Sequence, residues 1–182
     1  MYHFLNPEQQ PMKSFVPGPD RKREFRDALG RFATGITVVT TMTPDGPVGI
    51  TANSFASVSL DPPVVLWSIG RHSRRFAAFA GCEHFAVHVL GAEQMELSQR
   101  FARVGQAFDG LPHELNDAGV PLLGGCLSRF ECVRISGHEG GDHLIVVARV
   151  SAATLRDGEP LLFFGGGYGR FEDGSNVTPS TQ

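Results

Sequence analysis

Apolar and polar residues recur along this chain in two rhythms, one helical and one alternating. From Asp20 to Ala33 the apolar positions Phe25, Ala28, Leu29, Phe32 and Ala33 follow the spacing of a helix with one buried face. Asp20 stands where an N-cap would, and Gly35 just past the predicted end. The β-branched run Ile36 to Met42 then predicts a strand. Pro44-Asp45-Gly46 predicts a tight turn, with Val48 to Asn53 returning as the hairpin partner. Val58 and Leu60 alternate with Ser57 and Ser59 at a strand's period of two. Pro62-Pro63 is expected to break the pairing before a buried strand from Val64 to Ile69.

Further on, Ser73 is placed to cap a short helix carrying Phe76 and Phe79. His84 to Leu90 predicts a strand, and Ala92 to Phe101 a second amphipathic helix. Gly105 to Leu123 predicts a loop. Two long strands, Leu127 to His138 and His143 to Leu155, meet at the turn Glu139-Gly140-Gly141-Asp142. Asp157-Gly158 predicts another turn, and Pro160 to Phe164 the last strand. Roughly six or seven strands joined mostly by short turns predict a mainly β protein with short helices, an antiparallel barrel rather than a parallel sheet. No G-x-G-x-x-G follows a strand, so a Rossmann dinucleotide unit is not expected.

The polar positions from Thr51 to Ser59 are unusual. Thr51, Asn53, Ser54, Ser57 and Ser59 are short, neutral, hydrogen-bonding side chains, set among apolar residues with no Lys, Arg or Glu between them. A half-buried strand normally carries charged residues on its wet face. A small neutral polar face suits either simple solvation or a flat ligand rich in hydrogen-bonding groups.

Composition narrows the classes. The 182 residues suit one domain able to bury a sizeable core. We divide them into an arm over 1–20, whose Pro7, Pro11, Pro17 and Pro19 forbid a regular helix, a domain over 21–171, and a polar tail over 172–182. Net charge is −3, which gives no broad basic surface for nucleic acid or anionic membrane. No run approaches a membrane span, and no basic-then-apolar leader is read at the N-terminus. Cys82, Cys126 and Cys132 are odd in number and lack C-x-x-C spacing, so reduced thiols and a cytoplasmic location are expected. His84 with His88, and His138 with His143, form pairs without an obvious third ligand, so no metal site is expected.

The wording of the polar segment adds more than its composition. Thr51-Ala52-Asn53-Ser54-Phe55-Ala56-Ser57-Val58-Ser59-Leu60-Asp61-Pro62-Pro63-Val64-Val65-Leu66 resembles a signature of the short-chain flavin reductases. Phe32-Ala33-Thr34-Gly35-Ile36-Thr37-Val38-Val39-Thr40-Thr41 upstream and Gly141-Asp142-His143 downstream extend the resemblance in the same order, from about Phe25 to about Phe171.

The resemblance implies an FMN-binding split β-barrel, homodimeric, with the flavin cleft near the subunit interface. It implies an NAD(P)H:flavin oxidoreductase that passes hydride to FMN or FAD and releases reduced flavin to a separate monooxygenase. Thr51, Ala52, Asn53 and Ser54 would then line the flavin edge, and Ser57, Val58 and Ser59 its ribityl-phosphate side. Val39 and Thr40 would lie beneath the ring. Ser68, Arg71 and Ser73 precede a predicted helix, where an anion is favoured. Arg100 and Phe101 resemble a second flavin contact.

His143 is implied as the residue that positions the nicotinamide, with Asp142 bracing the turn through backbone N–H groups. Tyr168 and Arg170, in the run Gly165-Gly166-Gly167-Tyr168-Gly169-Arg170, would cover the site. NADH is favoured over NADPH; selecting the latter requires an arginine placed at the 2′-phosphate, for which the sequence offers many candidates. The alternatives weighed are a pyridoxamine-phosphate oxidase-like protein, a non-catalytic flavin- or haem-binding module, and a single-stranded nucleic-acid barrel. The first needs a basic cluster in the Thr51 segment, and the last needs basic residues interleaved with exposed aromatics.

Overall fold

The computed structural model describes residues 12–171. Its centre is a seven-stranded sheet in the order β3-β2-β6-β9-β10-β5-β4, and every neighbouring pair is antiparallel. The strands are β2 (Thr37–Thr43), β3 (Gly46–Ala52), β4 (Ala56–Leu60), β5 (Pro63–Gly70), β6 (His84–Val89), β9 (Ser128–Gly140) and β10 (His143–Leu155). The sheet curls until β3 lies against β5. The Ser54 hydroxyl fastens that approach, donating to the Ser68 carbonyl and accepting from the Ser68 N–H, each at 3.0 Å. This is an antiparallel split barrel.

A smaller sheet joins β1 (Thr34–Gly35), β11 (Leu161–Phe164) and β12 (Gly167–Arg170). β7 (His113–Leu115) and β8 (Pro121–Leu123) form a separate hairpin. The helices are α1 (Lys22–Leu29), α2 (Phe76–Ala80) and α3 (Met95–Arg103).

Burial follows strand alternation. β2 is covered on both faces, so its residues Thr37 to Thr41 are all buried. Val39 packs into the barrel interior with Trp67, Ile69, Phe79, Phe85, Val87 and Val146. Val38 points the other way, into a second cluster with Ile36, Leu90, Phe101, Phe108, Leu123 and Leu161. Phe79 of α2 meets Trp67 edge-on at 5.2 Å, so this short helix acts as a plug for the barrel.

Several elements differ from the sequence expectation. α1 is shorter than 20–33, because Asp20 falls in a 3₁₀ turn (Pro19–Arg21), and the helix ends at Gly30 rather than Gly35. Its apolar stripe does not reach the core: Phe25, Leu29 and Phe32 are 44%, 59% and 77% exposed. Pro62-Pro63 does not break pairing. The strands pair as far as Leu60↔Pro63, across a two-residue turn, with one irregularity between Ser57 and Ser59. The predicted loop 105–123 contains the β7–β8 hairpin, and the glycine-rich end is the paired strand β12. Ser73 does not cap α2, which begins at Phe76; its hydroxyl accepts the Arg75 N–H at 3.2 Å. Residues 1–11 of the arm and the whole tail 172–182 lie outside the described residues.

Candidate active site

Between the end of β3, the end of α3 and the small sheet lies a recess of about 200 Å³. Ile36, Thr51, Ala52, Asn53, Ala102, Phe163 and Tyr168 line it, and none of them is charged. Buried Ser98 holds its walls together. The Ser98 carbonyl accepts the Thr51 hydroxyl at 2.6 Å, and the Ser98 hydroxyl lies 3.0 Å from the Tyr168 hydroxyl. One serine of α3 therefore ties β3 to β12. Its hydroxyl gave no sign in the sequence, because a lone serine on a helix is ordinary; only its position four residues before Ala102 on the same helix hinted at it.

The spacing of α3 from β3 is set by Gly49. A Cβ at that position would meet the Phe101 ring at 2.6 Å, while the Gly49 N–H donates to the Gly105 carbonyl at 2.8 Å. The helix therefore sits directly on the strand backbone.

The second part of the site is the β9–β10 turn. Gly140 and His143 face each other across a two-residue turn, and Gly141 has φ +67°, the left-handed region that favours glycine. The half-exposed His143 imidazole lies with Nδ1 2.7 Å from Asp142 Oδ1. That hydrogen bond, reinforced by the charge of the ring, holds the Asp142 carboxyl below its usual range. Asp142 thus braces the imidazole with its carboxylate, whereas the turn N–H groups were the expected partners; its backbone carbonyl accepts the Arg71 N–H at 2.8 Å. His143 pairs in register with Gly70, where any Cβ would come within 3.4 Å of the imidazole Nε2. Two residues earlier on β5, Ser68 is clasped by Ser54. β5 therefore touches Ser54 of the neutral segment at Ser68 and His143 of β10 at Gly70, two positions about 7 Å apart along its axis.

Of the sequence candidates, Thr51, Ala52, Asn53 and Tyr168 converge on the recess. Asn53 is exposed there and its amide has no partner among the described residues. The Ser54 hydroxyl is spent on Ser68, as noted above. Val39 and Thr40 are corrected: both are 0% exposed, and the Thr40 hydroxyl donates to the Pro121 carbonyl at 2.6 Å, so neither lies open beneath a ring. Phe101 is likewise 0% exposed, and its ring packs under α3 rather than facing a ligand. Arg100 lines a different recess, with Glu93, Glu96, Leu97 and Leu111, and donates to the Asp109 carbonyl. Neighbouring Ala102 takes the expected place.

Ser57, Val58 and Ser59 stand on the edge strand β4, outside the recess lining. Arg71 is ion-paired with Glu139 and lies over the Phe76 ring at 5.4 Å, beside His143 rather than beside Ser57 and Ser59. Arg170 is exposed at the far end of β12, opposite Leu161. His88, read as sharing a strand face with His84, is fully buried and bonded at both ring nitrogens, to the Val38 carbonyl and from the Leu123 N–H, each at 3.0 Å. Among the described residues there is no group of three or more His, Cys, Asp or Glu side chains placed to hold a metal.

A curled antiparallel barrel with an uncharged, hydrogen-bonding recess beside a strand-end histidine defines the class. Residues 29–172 match the family described as flavin reductase like domain, and the chain belongs to that family. It is 59% identical over 157 residues to the FMN reductase (NADH) SmoA of Agrobacterium fabrum (strain C58 / ATCC 33970), covering 86% of this chain and 90% of that one. It is 40% identical over 157 residues to the reductase subunit HsaB of a flavin-dependent monooxygenase from Rhodococcus jostii (strain RHA1), covering 85% of this chain and 80% of the relative. Among solved structures, the NADH:FAD oxidoreductase SgcE6 of Streptomyces globisporus C-1027, in complex with NAD and FAD fragments, superposes with a TM-score of 0.82 at 36% identity. That superposition covers 90% of this chain and 100% of the other.

Proposed function

We infer that this chain is an NADH-dependent flavin reductase that takes hydride from the nicotinamide, delivers it to a flavin and releases the reduced flavin to a separate monooxygenase. When the flavin is bound, hydride passes from nicotinamide C4 to flavin N5, which requires the two rings to stack at roughly 3–3.5 Å. The chain supplies no nucleophile for this and needs none. Its residues bind and orient.

The carrying observation is the uncharged recess with the unpartnered Asn53 amide at its rim. Asn53 and the backbone of Thr51 and Ala52 would hold the polar edge of the ring, with Ala102, Ile36 and Phe163 against its apolar portion. Tyr168 closes the recess from β12. His143, oriented by Asp142, positions the nicotinamide. FMN is the flavin we favour, given the 59% identity to a reductase named for FMN and NADH.

We further propose a homodimer. In support, α1 presents Phe25 and Leu29 to solvent and the turn after it presents Phe32, while β4 presents Val58 and Leu60 at 53% and 94% exposure. No described helix is long and apolar enough to cross a membrane. We place the enzyme in the cytoplasm, where NADH is at hand and the three free thiols stay reduced.

The test is loss of NADH absorbance in the presence of free FMN, FAD or riboflavin. Flavin-dependent oxidation of NADH is expected, and inactivity with every flavin overturns the reading. Light scattering on the purified protein tests the dimer; a mass of 19.7 kDa would sink it.

A further inference from the structure

β12, the strand that closes the recess, is held to the barrel by little. It is the outer strand of the small sheet and pairs only with β11. Gly167 and Gly169 carry no side chain to pack, and Arg170 is exposed. Among the described residues, the one hydrogen bond from β12 to an element other than β11 is the Tyr168–Ser98 hydroxyl pair at 3.0 Å. Tyr168 is 37% exposed, while Ser98 is fully buried. A buried hydroxyl needs a partner, and Tyr168 is the one this serine has.

Ser98 holds the two walls of the recess by different atoms. Its backbone carbonyl accepts the Thr51 hydroxyl, so the β3 wall does not depend on which side chain stands at 98. Its own hydroxyl holds Tyr168, so the β12 wall does. Ser98 and Ala102 are four residues apart on one face of α3, which puts the hydroxyl pair one turn from the recess lining. Phe163 lies opposite Tyr168 in register, its ring edge-on at 5.9 Å. The phenylalanine steadies the body of the tyrosine ring, and the serine fixes its tip.

Resting on the flavin reading above, we propose that Ser98 is a positioning residue for the flavin: its hydroxyl holds the Tyr168 ring as a ready-made wall of the recess. Ser98 is not itself in the recess lining, so it acts through Tyr168. Both partners belong to the chain, and the ring is therefore ordered before a ligand enters. Freed from the serine, the ring would have to be ordered by the flavin, at the expense of affinity. His143 stands on the separate β9–β10 hairpin, so the nicotinamide should not feel the change.

The test is FMN fluorescence quenching with the wild-type protein, Ser98→Ala, Tyr168→Phe and the double variant, with the KM for NADH measured at saturating FMN. Alanine suits a helix and leaves the carbonyl that holds Thr51, so Ser98→Ala should fold, which thermal unfolding checks. If it does not fold, Tyr168→Phe alone carries the test, since that side chain is partly exposed. Each single variant should weaken FMN binding about fivefold, the cost of ordering one side chain, and leave the KM for NADH within twofold. The double variant should bind FMN no more weakly than either single one, because both changes remove the same bond. FMN binding as tight as the wild type in either single variant, or losses that multiply in the double variant, overturns the proposal and leaves the flavin reading standing. An equal loss for FMN and NADH also overturns it, by making the serine merely structural. If the wild type binds no flavin at all, both readings fall.

Discussion

His88 on β6 and His143 on β10 belong to the same curved sheet and differ in almost everything else. His88 is 0% exposed. Its Nδ1 must carry the proton, because it faces the Val38 carbonyl at 3.0 Å, while Nε2 accepts the Leu123 N–H at 3.0 Å. The ring is thereby fixed in one neutral tautomer and fastens β8 to the main sheet. His143 is half exposed, holds one bond to a carboxylate and leaves the far side of its ring open. Buried and doubly bonded, an imidazole is a structural strut; exposed and singly braced, it remains available to a ligand. The contrast shows that what an imidazole does here depends on how many of its nitrogens the fold has already engaged.

The largest effect that could break this contrast is at the strut. His88→Leu should leave the Val38 carbonyl and the Leu123 N–H without partners. We expect a loss of about 3 kcal/mol in stability, or about 6–12 °C in Tm, with the KM for NADH unchanged. A variant as stable as the parent would show that the clamp is dispensable.

Next comes pH. Burial lowers the His88 pKa from 6.5 to about 4. Above pH 6.5 the ring is neutral in both folded and unfolded chains, so its full contribution is present. Between 6.5 and 4 the unfolded chain takes up a proton that the fold refuses, and stability falls as pH falls. The loss is about 1.4 kcal/mol per pH unit across that window, roughly 3 kcal/mol in all. Urea midpoints measured from pH 7.5 to 4 should show the decline, and His88→Leu should flatten it. An unchanged slope in the variant would assign the acid sensitivity to other groups.

The smaller effects lie at the exposed partner. His143→Ala should raise the KM for NADH about tenfold, the worth of one good contact, and leave Tm and flavin affinity as they were. Equal loss of flavin affinity would make His143 structural after all. Asp142→Asn keeps the turn but weakens the brace on the ring. We expect a KM rise of about threefold, within the range for a charged hydrogen bond made neutral.

Much of the architecture was legible because it is local. The β2–β3 and β9–β10 hairpins announce themselves through β-branched runs flanking Gly-containing turns, and Gly141 takes the positive φ expected of it. The β7–β8 hairpin was hidden because its strands are three residues long and β7 is wholly exposed. It is held by partners far away in sequence, including His88 and Thr40. β12 was read as a glycine-rich cover for the site and not as a paired strand, because glycine runs carry little strand signal. Here Gly165 and Gly166, at φ +58° and +86°, make the turn that lets Gly167 pair with Phe164.

At the site, the Thr51–Asn53 wall and Tyr168 could be named from the segments that carry them. The burial of Val39, Thr40 and Phe101 could not, since an apolar strand residue reads the same whether it faces a ligand or the core. Nor could the diversion of Arg71 to Glu139, 68 residues away in sequence.

Gly49 carries a consequence for how such a chain can change. It touches no ligand, yet a single methyl group there would collide with Phe101 and lift α3 away from its strand. Ser98 and Ala102 would both ride outward with the helix, loosening the recess between β3, α3 and β12. The clearance available to a stacked pair of rings is therefore governed from beneath, by a position where evolution or an engineer has no room to add even one carbon.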